Sequence, residues 1–368
     1  MTREEIEVVY RLRVPAAELA ARTEALLLEQ TVELPRQAVR LAYSRDNLVG
    51  RVVSTREAGP DGFTVTLAQP AANVGTNPAQ LLNVLFGNCS LQPDVQLEDV
   101  RLPASVAGFL GGPRFGVAGI RRIVGVSGRA LTASVLKPVG LSVSEAASLC
   151  RSLALAGIDI IKDDHGLADQ AFCPFPERVR ACLAATEDAA QKTGRRSLYV
   201  PSLVGTPTKV LHQAWKAREL GAGAAMVSPM LVGLPFLNEL AADIGMPILA
   251  HPAFAGAPRI SPAALLGRLF RAFGADAVIF PNAGGRFSFD REACSEIAAA
   301  LRVPDPCAAP AFPVPAGGIR RENVQDVLAT FGADTILLLG GSLLEAGSER
   351  DLIARCGTFV SAVREHAA

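Results

Sequence analysis

Lys162, Asp163, Asp164 and His165 directly follow the β-branched stretch Ile158-Asp159-Ile160-Ile161, so a buried-looking run ends abruptly in polar groups. A run of that length between Gly157 and Gly166 predicts a parallel strand carrying functional side chains at its C-terminal end, where α/β folds place their chemistry. A helix-capping aspartate would account for one carboxylate but not for Lys162. Oxygen and nitrogen donors this close can hold a divalent cation, which polarises a carbonyl and stabilises an enediolate. Unmodified Lys162 opposes a cation by its charge, whereas a lysine carbamylated by carbon dioxide offers an anionic oxygen.

Lys137 follows Ala133-Ser134-Val135-Leu136 and precedes Pro138, again at a predicted strand end. Partly desolvated there, it would have a depressed pKa and serve as a proton acceptor; the alternative is a lysine snorkelling on the rim. His251 ends another strand, as a functional acid or base or as a satisfied structural residue. Ala316-Gly317-Gly318 and Gly340-Gly341 close two further strands, and paired glycines at consecutive strand ends let backbone N–H groups approach a phosphate. Asn282-Ala283-Gly284-Gly285-Arg286 reads as a mobile loop able to close over a substrate.

These groups need a scaffold that aligns strand ends. Strands are predicted over 131–139, 158–164, 197–203, 224–228, 247–251, 277–282, 311–316 and 335–340, with helical segments such as 144–156, 208–220 and 261–273 between them. Glycine stops such as Gly194, Gly221, Gly245, Gly274 and Gly332 end several helices. Eight βα units in series predict a (β/α)8 TIM barrel over 119–368; a doubly wound sheet lacks support, because no GxGxxG follows the first strand. Residues 1–118 mix alternating strands (6–14, 65–68) with helical runs (16–29, 78–86) and predict a small α+β N-terminal domain. The glycine-rich 108–119 reads as its linker.

The chain has 368 residues, enough for two cores, and 36 Lys+Arg balance 36 Asp+Glu, so no global field favours nucleic acid or an anionic membrane. Phosphate recognition must therefore be local. The seven cysteines show no CxxC pair, which speaks for reduced thiols rather than a disulfide framework or a zinc site. The N-terminus lacks the apolar core of a signal peptide and no run is long enough to span a bilayer, so a cytoplasmic location is expected.

Together these residues resemble the RuBisCO superfamily, and within it the form IV RuBisCO-like proteins. The likeness runs through Gly87-Asn88, Leu97-Glu98-Asp99-Val100-Arg101-Leu102-Pro103, Lys137-Pro138, Gly157-Ile158-Asp159 to Asp164, His251, Ala316-Gly317-Gly318 and Gly340-Gly341, with Lys162-Asp163-Asp164 its most specific part. It implies that Lys162 is the carbamylated metal ligand and Asp164 the next ligand. It further implies that Lys137 is the base and that Asn88 reaches the site of a neighbouring subunit, hence a homodimer or larger homo-oligomer. Mg2+ is the implied ion; His165 in the third ligand position, where carboxylating members have glutamate, would also suit Mn2+ or Co2+.

Other departures argue against carboxylation of ribulose bisphosphate. Val139 stands where those members have a second lysine, Pro252 replaces their arginine, Pro281 their strand-six histidine, and Arg286 is the nearest cation to their missing loop lysine. One phosphate site is kept and the other is stripped of charge, so the expected substrate is a monophosphate with an apolar far end. The resemblance thus implies a metal-dependent isomerase or enolase of a phosphorylated ketose, with 5-methylthioribulose 1-phosphate, from methionine salvage, the best single substrate. A decarboxylase, or a transcarboxylase and hydrolase, of a branched 3-oxo sugar-acid phosphate is the second enzyme reading and would need a cation near Arg286. A sugar-phosphate-binding protein without chemistry is the reading from another class.

Overall fold

The computed structural model describes residues 4–59, 62–287, 289–340 and 346–366. Four strands, β1 (Glu5–Leu12), β2 (Arg51–Glu57), β3 (Phe63–Pro70) and β4 (Val95–Arg101), form an antiparallel sheet in the order β2-β3-β1-β4. In β1 the alternation is strict: Ile6, Val8, Tyr10 and Leu12 are buried and their neighbours half-buried. Helices Leu19–Glu29 and Pro78–Phe86 share that core through Leu26, Leu81 and Leu85, and the Tyr10 hydroxyl donates to the Leu85 carbonyl at 2.6 Å.

Eight parallel strands make the second sheet: β5 (Leu131–Leu136), β6 (Ile160–Asp163), β7 (Leu198–Val200), β8 (Ala225–Val227), β9 (Ile248–Ala250), β10 (Ala277–Pro281), β11 (Phe312–Ala316) and β12 (Ile336–Leu339). They pair in sequence order, β12 returns to β5, and the gap between β7 and β8 is bridged by Met226 N–H to Pro201 O at 2.9 Å and Leu203 N–H to Met226 O at 2.8 Å. This is the expected TIM barrel preceded by an α+β unit. Its interior is a packed aliphatic cluster that includes Leu131, Ile160, Met226, Ile279 and Leu338.

The glycine-rich stretch 108–119 departs from a loose linker. Helices Ala104–Leu110 and Gly116–Val124 occupy most of it, joined through Gly111 and Gly112 at φ 74° and 57°. The second helix plugs the bottom of the barrel with Val117, Ile120 and Val124. Asp276 ties it there by accepting from the N–H groups of Phe115 and Gly116, both at 2.7 Å. Helix Val143–Leu155 starts at a capping box in which Ser142 and Glu145 satisfy each other's backbone N–H groups. That start sets where the loop carrying Lys137 ends.

Candidate active site

Strands β5 and β6 deliver the chemistry. Ile160 faces the barrel interior, so alternation turns Lys162 inward one layer higher and sends Asp163 out towards the helices. Lys162 is 3% exposed and its Nζ donates to the Asp163 carbonyl at 2.9 Å. Burial pushes its pKa down to about 8, with Asp164 and Asp163 pulling it up and Lys137 pressing it lower.

Asp164 is the hub. Its Oδ2 lies 2.9 Å from Lys137 Nζ and its Oδ1 lies 2.7 Å from His165 Nδ1. Burial would raise its pKa, but the contacts from His165 and Lys137 and the charge of Lys162 outweigh that and hold the carboxyl well below the usual range. A carboxylate on Nδ1 places the His165 proton there and leaves Nε2 as the free ligand position. The His165 ring stacks on that of His251, with centroids 4.2 Å apart and 12° between planes. His251 Nδ1 accepts from the Ala253 N–H at 3.2 Å, which puts its proton on Nε2. Burial, then the charges of Lys162 and His165, lower its pKa to about 2, so the ring is neutral. A cleft of about 770 Å³ opens beside Lys137 and Asp164, with Val139, Ser348 and Leu352 on its walls.

The donor set for a cation is incomplete in the unmodified chain. Among the described residues no three His, Cys, Asp or Glu side chains gather to hold a metal. Asp164 and His165 supply two donors, and Lys162 becomes a third only as a carbamate. Its buried position and its lowered pKa fit that change, because carbon dioxide adds to the uncharged amine.

At the end of β11 the Ala316 carbonyl accepts from the Asn282 N–H at 2.9 Å, and Gly317 and Gly318 follow at φ 87° and 69°. A Cβ on Gly318 would lie 2.8 Å from the Gly284 backbone, so the expected mobile loop 282–286 rests directly on the glycine turn. Arg291 and Arg320 flank a cleft of about 630 Å³ at this turn, cations that the sequence reading did not single out. Gly340 follows β12 beside Val135, and Gly341 lies outside the described residues.

Comparison with known proteins fits this geometry. Residues 116–259 match the family model of the ribulose bisphosphate carboxylase large chain, catalytic domain. The chain is 42% identical to the 5-methylthioribulose-1-phosphate isomerase of Rhodospirillum rubrum, over 97% of this chain and 96% of that protein. It is 36% identical to the 2,3-diketo-5-methylthiopentyl-1-phosphate enolase of Geobacillus thermodenitrificans, over 80% and 76%. A solved Rubisco-like protein from Rhodopseudomonas palustris superposes with a TM-score of 0.91 at 42% identity, covering 100% of this chain and 99% of that one. The chain belongs to the RuBisCO-like proteins of the RuBisCO large-chain family.

Two expected site residues stand apart in this RuBisCO-like chain. Asn88 is exposed on the helical turn Asn88–Leu91, donates to Glu29 Oε1 at 3.0 Å, and lines a cleft built only from N-terminal residues such as Gln80 and Asn83. Its own subunit does not bring it to Lys137. Arg286 is exposed, with its guanidinium 4.5 Å over the Phe287 ring rather than among the groups above.

The sequence reading missed what lies behind the RuBisCO-like site. Asp163 is fully buried and accepts from Arg178 Nε at 3.1 Å, the Tyr199 hydroxyl at 2.7 Å and the Ser202 N–H at 3.1 Å. Burial pushes the Asp163 carboxyl up; burial pulls the Arg178 guanidinium down, but the carboxylate it faces outweighs that and raises it above its usual value. The signal was there: Arg178 interrupts the helical stripe Phe175, Val179 and Cys182, which faces the sheet.

Proposed function

We propose that this protein is an enzyme that removes a proton next to the carbonyl of a phosphorylated ketose, acting as an isomerase or enolase, with 5-methylthioribulose 1-phosphate as its substrate. The observation that carries the reading is the Lys137–Asp164 contact of 2.9 Å at the barrel mouth, which sets a base candidate beside the cation-binding candidates Lys162, Asp164 and His165. Relatives bearing both enzyme names support the class of chemistry and leave the choice between its two forms to experiment.

Lys137, half exposed beside Asp164, is the base in this reading: it takes the proton next to the carbonyl and returns it through solvent or to the neighbouring carbon. Neutral His251 presents its Nε2–H as a donor to the oxygen on which charge develops, and its low pKa bars it from acting as a cationic acid. Carbamylated Lys162, Asp164 and His165 would hold Mg2+, Mn2+ or Co2+, which supplies Lewis acidity for the carbonyl. The glycine turn 317–318 takes the phosphate together with Gly340 and the Gly341 that follows it in sequence, with Arg320 and Arg291 adding positive charge near the first of these. Pro252 and Pro281, uncharged where the resemblance implies the partners of a second phosphate, favour an apolar group there.

Val139, Phe172, Phe254 and Phe287 stand exposed on the loops that follow β5, β6, β9 and β10, and Leu231 on the short helix Pro229–Val232 after β8, apolar groups on the side of the barrel where the strands end. With Asn88 absent from the cleft beside Lys137 in its own chain, these apolar groups support a homodimer or larger homo-oligomer that completes the site. A division into an N-terminal domain, 1–118, and a barrel domain, 119–368, belongs to the same reading, with helix Gly116–Val124 lying across the boundary. Among the described residues no helix is long and apolar enough to cross a membrane, in line with a cytoplasmic enzyme.

Proton NMR of 5-methylthioribulose 1-phosphate incubated with protein, bicarbonate and Mg2+ in deuterated water tests the proposal. Deuterium entering next to the carbonyl is expected, and the product formed separates isomerase from enolase. Phosphate binding without exchange would instead mark a binding protein.

A further inference from the structure

Asp163 separates Lys162 from Asp164, yet its side chain faces away from both. The carboxylate is clamped from two neighbouring elements: Arg178 on helix Phe175–Thr193, and Tyr199 with the Ser202 N–H on and just beyond β7. The carbonyl of the same residue holds Lys162 Nζ at 2.9 Å. Arg178 is as buried as its partner; its Nη1 donates to the Cys173 carbonyl at 2.7 Å, and its Nη2 finds no partner among the described residues.

Core stability is a poor explanation for this arrangement. Well-packed apolar residues in place of a buried ion pair are often as stable or more so, and an unpaired buried N–H adds a further cost. Geometry is the better explanation, because β6 is only four residues long and its last residue lies between two side chains that must point to one place. We propose that Arg178 is a positioning residue: acting through Asp163, it fixes the backbone between Lys162 and Asp164 and thereby the spacing of these two groups at the barrel mouth. The inference rests on the reading of Lys162 and Asp164 as cation-holding groups.

The test pairs Arg178→Met with Asp163→Asn, so that neither charge is left buried alone, and measures Mn2+ binding by electron paramagnetic resonance with bicarbonate present. A cooperative melt close to native is expected, with Mn2+ affinity lower by roughly 10-fold to 100-fold, as for other residues that orient metal ligands. Arg178→Lys, which keeps the charge towards Asp163, should recover part of that loss. A folded double variant with native affinity would overturn the inference. Should the double variant not fold, Tyr199→Phe decides, since it removes a single 2.7 Å hydrogen bond to the same carboxylate. Weaker Mn2+ binding at an unchanged melting temperature supports positioning, and native binding overturns it. Native protein that binds no Mn2+ at all overturns the cation reading and this inference together, whereas native binding with unaltered variants overturns this inference alone.

Discussion

His165 and His251 stack ring on ring, 4.2 Å apart, yet they hold their protons differently: His165 on the nitrogen facing Asp164, His251 on the nitrogen away from the Ala253 N–H. Burial keeps His251 neutral, with its pKa down at about 2. The unfolded chain binds a proton there below about pH 6.5 while the native chain does not, so stability falls as pH drops through that range. By pH 5 the loss from this one group is about 2 kcal/mol. His251→Asn should therefore lose less stability between pH 7 and pH 5 than the native protein, as read by urea melts at the two pH values. Parallel losses would show that another group sets the acid limb.

His165→Glu asks whether His165 is a ligand. Carboxylate suits the hard Mg2+ ion better than imidazole does, and imidazole suits Mn2+ or Co2+. As a ligand, the substituted residue should move the metal preference of proton exchange towards Mg2+ with activity partly kept. Lost turnover with an unchanged metal preference would assign His165 to proton donation instead.

Lys137→Met removes the proposed base without touching the glycine turns. Proton exchange should fall by roughly 100-fold to 10,000-fold, the usual worth of a general base. Binding of inorganic phosphate, followed by calorimetry, should stay as in the native protein. Native exchange rates would remove Lys137 from the mechanism.

Gly318→Ala tests the backbone contact of the two loops. The residue sits at φ 69°, and its new Cβ would lie 2.8 Å from Gly284. The backbone conformation alone costs about 1–2 kcal/mol in a residue with a side chain. Lower melting temperature and weaker phosphate binding are expected together. A stable variant with native phosphate affinity would show that the phosphate lies elsewhere.

Mixing subunits examines whether sites are shared. Asn88→Ala and Lys137→Met chains, each inactive alone, should regain part of the activity once denatured together and refolded as mixed dimers. Mixed dimers without activity would make each subunit self-contained and leave Asn88 with its bond to Glu29.

By itself the sequence determined the local features. The eight barrel strands follow from short apolar runs separated by helical segments, several of which end at glycine, and the candidates Lys137, Lys162, Asp164, His251 and the Gly317-Gly318 turn follow from polar or glycine residues at the ends of those runs. Nearest neighbours along the chain dictate such features through strand alternation and backbone freedom. Tertiary structure decided which groups meet. Lys137 and Asp164 touch because β5 pairs with β6 in one register, and His165 meets His251 because the barrel closes on itself across strands far apart in sequence. Within residues 108–119 the helix from Gly116 is held in place because Asp276, distant along the chain, accepts the Phe115 and Gly116 N–H groups. Arg178, an ordinary surface residue by type, is buried because Asp163 waits opposite it, and a charge can leave water only where a partner stands in for the solvent.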